Sequence, residues 1–166
     1  MELFLMRHGI AAKPQFYDSD RQRPLTDQGA QQHDRVIRIL APLIEPLDHL
    51  LTSPYTRARQ TAEITAAALS CANPVEETDC LADDCSVDTV LHLLQQYPPS
   101  AHVLCVGHEP HMSHLSAVFL DGKGRSVISF QPGSVVSLAF RGHPQAGQGA
   151  LRFFLQPAEV LLLAGQ

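Results

Sequence analysis

The sequence has no Cys-x-x-Cys pair among its four cysteines, which are Cys71, Cys80, Cys85 and Cys105. Their spacing predicts neither a zinc ribbon nor a redox motif, and reduced thiols of a cytosolic protein are the simpler interpretation. An excess of positive charge is also lacking, since the formal net charge is -5 at pH 7 and the sequence pI is near 5.9. Because nucleic-acid binding needs a cationic surface, no nucleic-acid partner is expected.

Long hydrophobic runs are absent as well. The apolar run from Leu3 to Met6 meets Arg7 and is far too short for a signal-peptide core or a membrane span. We therefore expect a cytoplasmic protein without a membrane partner. At 166 residues, 45% of them hydrophobic and 17% charged, the chain fits one globular domain with a single sizeable core.

Segments of strand and helix character alternate over the first 120 residues. Apolar runs predict strands at 3–6, 47–52, 75–80 and 102–106, and helices are predicted to begin at Thr26, at Ser53-Pro54, at Ser86 and after the turn 107–110. This alternation predicts an α/β three-layer sandwich with a mostly parallel central sheet and helices on both faces. Three further strands are expected near a sheet edge, at 127–130, 135–140 and 151–155.

Residues suited to phosphate chemistry follow the first predicted strand, at Arg7, His8 and Gly9. A neutral imidazole is a competent phosphoryl acceptor, because one ring nitrogen attacks phosphorus while a hydrogen bond fixes the other. Arg7 offers a planar fork of donors that matches two phosphate oxygens, and Gly9 lets the backbone approach an anion. Alone, this tripeptide is a weak signal, since a histidine at a strand end is more often structural.

The second predicted strand leads into another arginine-bearing segment. Ser53 and Pro54 favour the start of a helix, and Arg57 then lies in its first turn. The free N–H groups and the dipole of a helix N-terminus favour an anion, to which Arg57 adds a charged fork. Arg59 should point elsewhere on the helix and is interpreted as a solvated surface arginine.

Two further candidates lie in loops. His108 follows the fourth predicted strand, where a protonated imidazole would donate to a phosphoryl oxygen in the transition state. Arg23 belongs to the loop that follows His8 and is a candidate to close over the site. The alternative for Arg23 is an ion pair within its own loop, with Asp18 or Asp20.

Together these segments resemble the histidine phosphatase superfamily, which has the phosphoglycerate mutase-like fold, and within it the small SixA-type phosphohistidine phosphatases. The matching segments are 3–9, 23–29, 53–61 and 106–110, and four motifs in the right order are a strong signal where one would be weak. The resemblance implies that residues 1–166 form one histidine phosphatase domain. It also implies that His8 is the nucleophile, that Arg23 is an additional phosphate ligand, and that the phosphate pocket is formed by Arg7, Arg57 and His108.

The resemblance leaves the general acid open. Asp83 and Asp84 occupy the stretch where many relatives carry it, and Glu109 follows His108 as an acidic residue does in the acid-phosphatase branch. Each of these three is alternatively a plain polar loop residue. Asp20 looks like an acidic loop position of the SixA type.

The chain is short where larger relatives carry a helical lid. Only about two dozen residues separate the third predicted strand from the strand at His102. The implied open site suits a phosphohistidine on a protein, such as a phosphotransfer domain, and argues against a mutase, which must keep water from its phosphoenzyme. A small-metabolite phosphatase is the runner-up, followed by a noncatalytic phosphoprotein-binding module, which the presence of His8 disfavours.

A metal site is the other possibility that the nine histidines raise. His108, His111 and His114 follow one another three apart, but His108 belongs to the preceding turn and no Asp or Cys comes at a matching spacing. Neither a metal ion nor any other cofactor is therefore expected. The remaining histidines are interpreted as surface or structural residues, namely His33, His49, His92, His102 and His143.

Overall fold

The computed structural model describes residues 1–44, 46–69, 71, 73–82, 85–125 and 127–165. In these parts of the chain the helices are α1 (Asp27–Ile44), α2 (Thr56–Ala68), α3 (Val87–Leu94), α4 (His111–Asp121) and α5 (Pro157–Leu163). The strands are β1 (Glu2–Arg7), β2 (His49–Thr52), β3 (Glu76–Glu77), β4 (His102–Gly107), β5 (Val135–Ala139) and β6 (Ala150–Leu155). Short 3₁₀ turns lie at Pro14–Phe16, Asp20–Gln22 and Asp79–Leu81. Among the helices described, none has the length and apolar character needed to cross a membrane.

The six strands form one sheet in the order β3-β2-β4-β1-β5-β6. Strand β1 pairs in parallel with β4 and antiparallel with β5, so it lies near the middle of the sheet. Strand β2 is parallel to both of its neighbours, whereas β6 is antiparallel to β5. The α/β prediction is confirmed, but the sheet is mixed rather than mostly parallel. The reason is that β5 and β6 follow each other through a loop without a crossover helix, which only antiparallel strands permit.

Helices cover both faces of the sheet because side chains alternate along β1. Leu3 and Leu5 face a buried cluster that includes residues of α3 and α4, whereas Phe4 and Met6 face a second cluster with residues of α1, α2 and α5. All four of these side chains are almost fully buried. The two clusters fix β1 between the layers, so the segment that follows β1 leaves the sheet at a defined position.

Two of the predicted helix caps are confirmed and one is wrong. Thr26 Oγ1 accepts the Gly29 N–H at 2.9 Å, and Ser86 Oγ accepts the Thr89 N–H at 3.2 Å. The helix predicted to open at Ser53-Pro54 begins at Thr56 instead, with Tyr55 in the cap position. Ser53 Oγ lies 2.8 Å from His108 Nε2 and accepts the Tyr55 N–H only at 3.4 Å, so its shorter hydrogen bond is made to another loop.

The strand predicted at 127–130 is also wrong. Residues 127–130 form no strand, and Val127 is 96% exposed. Phe130 is buried, and its carbonyl oxygen accepts a hydrogen bond from Arg7 Nη1 at 2.6 Å instead of pairing with a strand. Helix α5 was not expected from the sequence and packs on α1.

Candidate active site

The predicted site residues come together at the carboxyl ends of three neighbouring strands. Arg7 and Gly107 are the last residues of β1 and β4 and lie side by side in the register. The His8 N–H donates to the Gly107 oxygen at 3.0 Å, and the Ser53 N–H donates to the Val106 oxygen at 3.0 Å. Backbone bonds therefore hold the segments after β1, β2 and β4 against one another, as expected for a ligand site in an α/β sheet.

His8 is held with one ring nitrogen protonated and the other exposing a lone pair. Its Nδ1 lies 2.7 Å from the Gly9 oxygen, which only accepts hydrogen bonds, so Nδ1 carries the proton. Nε2 then accepts from Arg57 Nε at 3.1 Å. The residue is 7% exposed, and its burial is the main cause that lowers the pKa of His8 to about 3. The hydrogen bond to Gly9 raises this pKa, and the charges of Arg57 and Arg7 lower it further. At neutral pH the imidazole is uncharged, and its lone pair is on Nε2, where it accepts the Arg57 Nε–H.

Arg57 is the buried cation beside that lone pair. Its residue is 5% exposed, and its two terminal nitrogens donate to Asp20, Nη1 to the backbone oxygen at 2.7 Å and Nη2 to Oδ2 at 2.8 Å. The guanidinium also lies over the ring of Tyr55, 5.0 Å from its centroid. Every part of the Arg57 fork is thus oriented, and its Nε–H faces His8.

Asp20 joins two arginines across the loop. Arg23 donates from Nη1 to Asp20 Oδ1 and from Nε to the Ala12 oxygen at 2.9 Å. Burial raises the pKa of Asp20, but the hydrogen bonds from Arg23 and Arg57 and the charge of Arg57 outweigh it, so the pKa lies below its usual value. The ion pair that the sequence offered as the alternative for Arg23 therefore forms, and it brings Arg23 next to Arg57 through a shared carboxylate.

Arg7 has one buried N–H donor, at Nε, without a partner among the residues described. Its Nη1 donates to the Phe130 oxygen, whereas its Nε is buried and has no hydrogen-bond partner among the residues described. Burial, partly offset by the charge of Glu109, lowers the pKa of Arg7, and the nearby charge of Arg57 lowers it further. An anion between these arginines would satisfy the donor and offset the repulsion.

His108 contacts the site from β4. Its Nε2 bonds Ser53 Oγ, and its ring centroid lies 5.1 Å from that of His8 and 4.7 Å from that of Tyr55. Burial, with a smaller contribution from His8 and Arg57, lowers the pKa of His108 to about 3. The imidazole is therefore neutral at pH 7, whereas the sequence analysis assumed a protonated ring. A neutral imidazole still provides one N–H donor.

Gly9 orients His8 rather than offering its backbone to an anion. Thr61 Oγ1 donates to the Arg57 oxygen at 2.7 Å and so accepts the Gly9 N–H, which lies 3.1 Å away. The Gly9 oxygen already holds His8 Nδ1. Thr61 was missed in the sequence analysis, although its position four residues after Arg57 on the same helix face was a usable signal.

Of the three candidate general acids, the structure describes only Glu109. Asp83 and Asp84 lie outside the described residues. Glu109 accepts hydrogen bonds from the N–H and the hydroxyl of Ser113, so its carboxylate is engaged by the first turn of α4. Arg59 lies on the surface as expected, with a side chain that is 44% exposed and an Nε 3.5 Å from Glu77 Oε1.

The histidines after Gly107 do not assemble with other ligands in the part of the chain that the structure describes. No group of three or more His, Cys, Asp or Glu side chains is placed there to hold a metal ion. His111 is buried at the start of α4, whereas His114, one turn later, is exposed.

His33 contacts the helix that carries Arg57 and Thr61. Thr65 Oγ1 donates to the Thr61 oxygen at 2.9 Å, so it accepts from His33 Nε2, also at 2.9 Å. The His33 residue is 3% exposed, and burial lowers the pKa of His33 to about 4. A neutral His33 therefore links α1 to the face of α2 that carries Thr61.

The buried His33 should make stability depend on pH. The unfolded chain takes up its proton near pH 6.5 and the folded chain only near pH 4, so the free energy of unfolding should fall as the pH drops through this window. For His33 alone the loss at pH 5 is about 2 kcal/mol relative to pH 8. Urea unfolding at both pH values should show a smaller difference for His33→Gln than for the wild type.

His92 provides the control, because it is exposed on α3. His92→Gln should keep the pH dependence of the wild type. A His33→Gln variant whose stability changes with pH as steeply as that of the wild type would contradict the assignment of this proton uptake to His33.

Comparison with known proteins agrees with this geometry. The model of the histidine phosphatase superfamily (branch 1) matches residues 3–86. An uncharacterised protein of Picosynechococcus is 34% identical over 140 residues, which cover 83% of this chain and 84% of that protein. The phosphohistidine phosphatase SixA of Escherichia coli is 27% identical over 162 residues, which cover 96% of each chain.

Solved structures give the same grouping. The protein histidine phosphatase SixA complexed with tungstate superimposes with a TM-score of 0.84 at 27% identity, over 96% of this chain and 99% of that one. A phosphoserine phosphatase from Entamoeba histolytica shares the fold, with a TM-score of 0.68 at 18% identity over 92% of this chain and 95% of that one. Since the family model spans half of the chain and the Picosynechococcus protein matches most of it, this chain belongs to branch 1 of the histidine phosphatase superfamily, as a SixA-type phosphatase.

Proposed function

We propose that this phosphatase removes the phosphoryl group from a phosphohistidine carried by a protein, through a phosphoenzyme formed on His8. The observation that carries the proposal is the state of His8. The ring is buried and neutral, Gly9 holds Nδ1–H, and the Nε2 lone pair lies 3.1 Å from the guanidinium of Arg57. A nucleophile fixed by one hydrogen bond and facing a buried cation suits attack on an anionic phosphoryl group.

The reaction has two displacements. In the first, the Nε2 lone pair of His8 forms a bond to phosphorus as the bond from phosphorus to the substrate imidazole breaks, and the departing ring nitrogen takes a proton from solvent. In the second, water attacks phosphorus, the bond to Nε2 breaks, inorganic phosphate leaves and a water proton returns to solvent. For the first attack, the Arg57 Nε–H turns from Nε2 to a phosphoryl oxygen.

The arginines hold the phosphoryl group. In the transition state the charge spreads over the equatorial oxygens, so donors aimed at them stabilise it more than the ground state. Arg7 supplies its unpartnered Nε–H, and Arg57 supplies the Nε–H released from His8. Arg23 is held near the phosphoryl group by its hydrogen bond to Asp20, which also binds Arg57. His108 supplies an N–H at the same edge of the pocket.

The chemistry of the leaving group favours phosphohistidine. An alkyl phosphate expels an alkoxide that needs a positioned acid, whereas an imidazole titrates near neutrality and leaves with far less help. The two candidate carboxylates that the structure describes are poorly suited to that task, since Asp20 has a lowered pKa in its ion pairs and Glu109 is bound by Ser113. The names of the SixA relatives also support this substrate class. A small-metabolite phosphatase is the alternative.

A substrate panel tests the proposal. With no metal added, kcat/KM should be highest for phosphohistidine, intermediate for aryl phosphates with acidic phenols, and lowest for alkyl phosphates, by about 100-fold or more across the series. Glu109→Gln should leave the hydrolysis of alkyl phosphates and of phosphohistidine close to the wild-type rates, because Ser113 already binds its carboxylate. If a sugar phosphate proves the best substrate and Glu109 is indispensable for it, the metabolite phosphatase replaces the proposed function.

Thr61 should act as a positioning residue for His8. Thr61→Val removes the acceptor of the Gly9 N–H, so the Gly9 oxygen loses its orientation toward His8 Nδ1. We expect kcat to fall by roughly ten- to hundredfold with little change in KM, since small misplacements of a reacting group are costly. Thr61→Ser should restore kcat, and NMR of the His8 ring should show loss of the Nδ1–H tautomer in the valine variant alone. An unchanged tautomer together with a lowered kcat would contradict this role.

A further inference from the structure

A groove of about 480 Å³ lies beside the site, on the β5–β6 side of the sheet, and the reaction above does not use it. One wall is formed by Gln131 and Pro132, in the loop before β5, and the other by the start of α5. Ile10 and Gln32 complete the lining. The phosphate-binding arginines are not among these residues, so the groove is a separate feature.

The groove lies at the same end of the sheet as His8, where the carboxyl end of β1 is. Ile10 comes two residues after His8, and the Gly133 N–H donates to the oxygens of both Arg7 and His8, at 3.1 and 3.0 Å. Strands lie about 4.8 Å apart, so β6 is about 10 Å from β1 along the sheet, a distance that about three residues of extended chain span. When the phosphohistidine of a substrate polypeptide is bound beside His8, the residues a few positions along that polypeptide therefore reach the groove.

Amide side chains surround the groove. Gln32 and Gln156 are half-buried and Gln131 is exposed, and within the described part of the chain none of the three amides has a hydrogen-bond partner. Each amide offers donors and an acceptor, as a peptide backbone does. Ile10 and Ala158 add exposed apolar surface between them. This mixture matches the alternating polar and apolar groups of a polypeptide.

The charge of the groove is unsuited to an anionic metabolite. Among its described lining residues the one charged side chain is Glu159, and no arginine or lysine lines it. We infer that the groove binds the neutral or basic polypeptide segment that flanks the phosphohistidine of a protein substrate. This inference rests on the proposed function and names the part of the substrate, beyond the phosphoryl group, that the protein recognises.

Synthetic peptides test the groove. The probes are free phosphohistidine and two nine-residue peptides with a central phosphohistidine among alanines, one with lysine flanks and one with glutamate flanks. The wild type should show a kcat/KM about tenfold or more higher for the lysine peptide than for free phosphohistidine. The combined Gln32→Ala, Gln131→Ala and Gln156→Ala variant should lose this advantage and keep its rate on free phosphohistidine.

Two matched variants sharpen the test. Gln31→Ala, an exposed neighbour on α1, should leave the peptide advantage intact. Glu159→Lys should remove the preference for the lysine over the glutamate peptide, which should be about threefold in the wild type. The inference is overturned if free phosphohistidine is hydrolysed as well as the peptides, or if the triple variant loses activity on all probes equally. No hydrolysis of any phosphohistidine probe, with phosphomonoesters hydrolysed, would instead remove the proposed function and the inference with it.

Discussion

Replacing His8 with alanine should lower the turnover of phosphohistidine by about 10⁴-fold or more, because the proposed route loses its nucleophile. The neighbouring imidazole of His108 has its Nε2 bonded to Ser53 Oγ, so that nitrogen does not replace the lost nucleophile. Release of inorganic phosphate from a phosphohistidine peptide measures the loss directly.

The fold should survive this substitution. Arg57 keeps its two bonds to Asp20 when the His8 ring is removed, so the arginine stays in the pocket. Thermal unfolding should therefore remain cooperative, and tungstate or phosphate should still bind. His92→Ala, on the exposed face of α3, serves as the control and should retain the wild-type rate. A His8→Ala variant that turns over at the normal rate would remove the covalent mechanism.

Arg57→Ala should lower kcat/KM by about a hundredfold or more, because it removes a buried fork of donors from the transition state. Arg59→Ala is the matched control, since Arg59 lies two positions later on the same helix, is largely solvated and contacts only Glu77 among the charged groups described. Its rate should stay close to that of the wild type. Steady-state kinetics on phosphohistidine and on an aryl phosphate compare the two variants.

Arg57→Lys separates charge from geometry. A lysine restores the positive charge, but its compact ammonium lacks the planar fork that aims separate N–H groups at the phosphoryl group and at Asp20, so most of the loss should persist. Equal losses in Arg57→Ala and Arg59→Ala would mean that the phosphate does not lie on the face of α2 that carries Arg57. Full activity of the lysine variant would reduce the role of Arg57 to that of a point charge.

The sequence predicted the features that local chemistry determines. The apolar runs identified β1, β2, β4, β5 and β6, because buried strands must be apolar. Thr26 and Ser86 were found as caps because a hydroxyl at a helix start has one dominant partner. The meeting of Arg7, His8, Arg57 and His108 was predictable because each lies at the end of a strand or in the segment that follows it, and neighbouring parallel strands bring their carboxyl ends together. Their catalytic roles stay predictions.

Features that depend on distant partners were missed. Ser53 has the composition of a helix cap, but a hydrogen bond to a residue 55 positions away redirects it. The segment 127–130 has strand propensity, yet its Phe130 carbonyl is taken by Arg7, 123 positions earlier. Thr61 was missed although it lies on the same helix face as Arg57, because its contact with the Gly9 N–H joins segments 52 positions apart. Such contacts are set by tertiary packing, which overrides local propensity.

The covalent state of His8 during turnover shows whether the phosphoryl group passes through this imidazole. The enzyme is mixed with excess phosphohistidine peptide, quenched in alkali within milliseconds and digested for mass spectrometry. A phosphorylated imidazole is stable to base and labile to acid, so we expect one added phosphoryl group, located on His8, that disappears after acid treatment and is absent from His8→Ala. Turnover at the full rate with no phosphoryl group on His8 at any quench time, or a phosphoryl group on another residue, would contradict it.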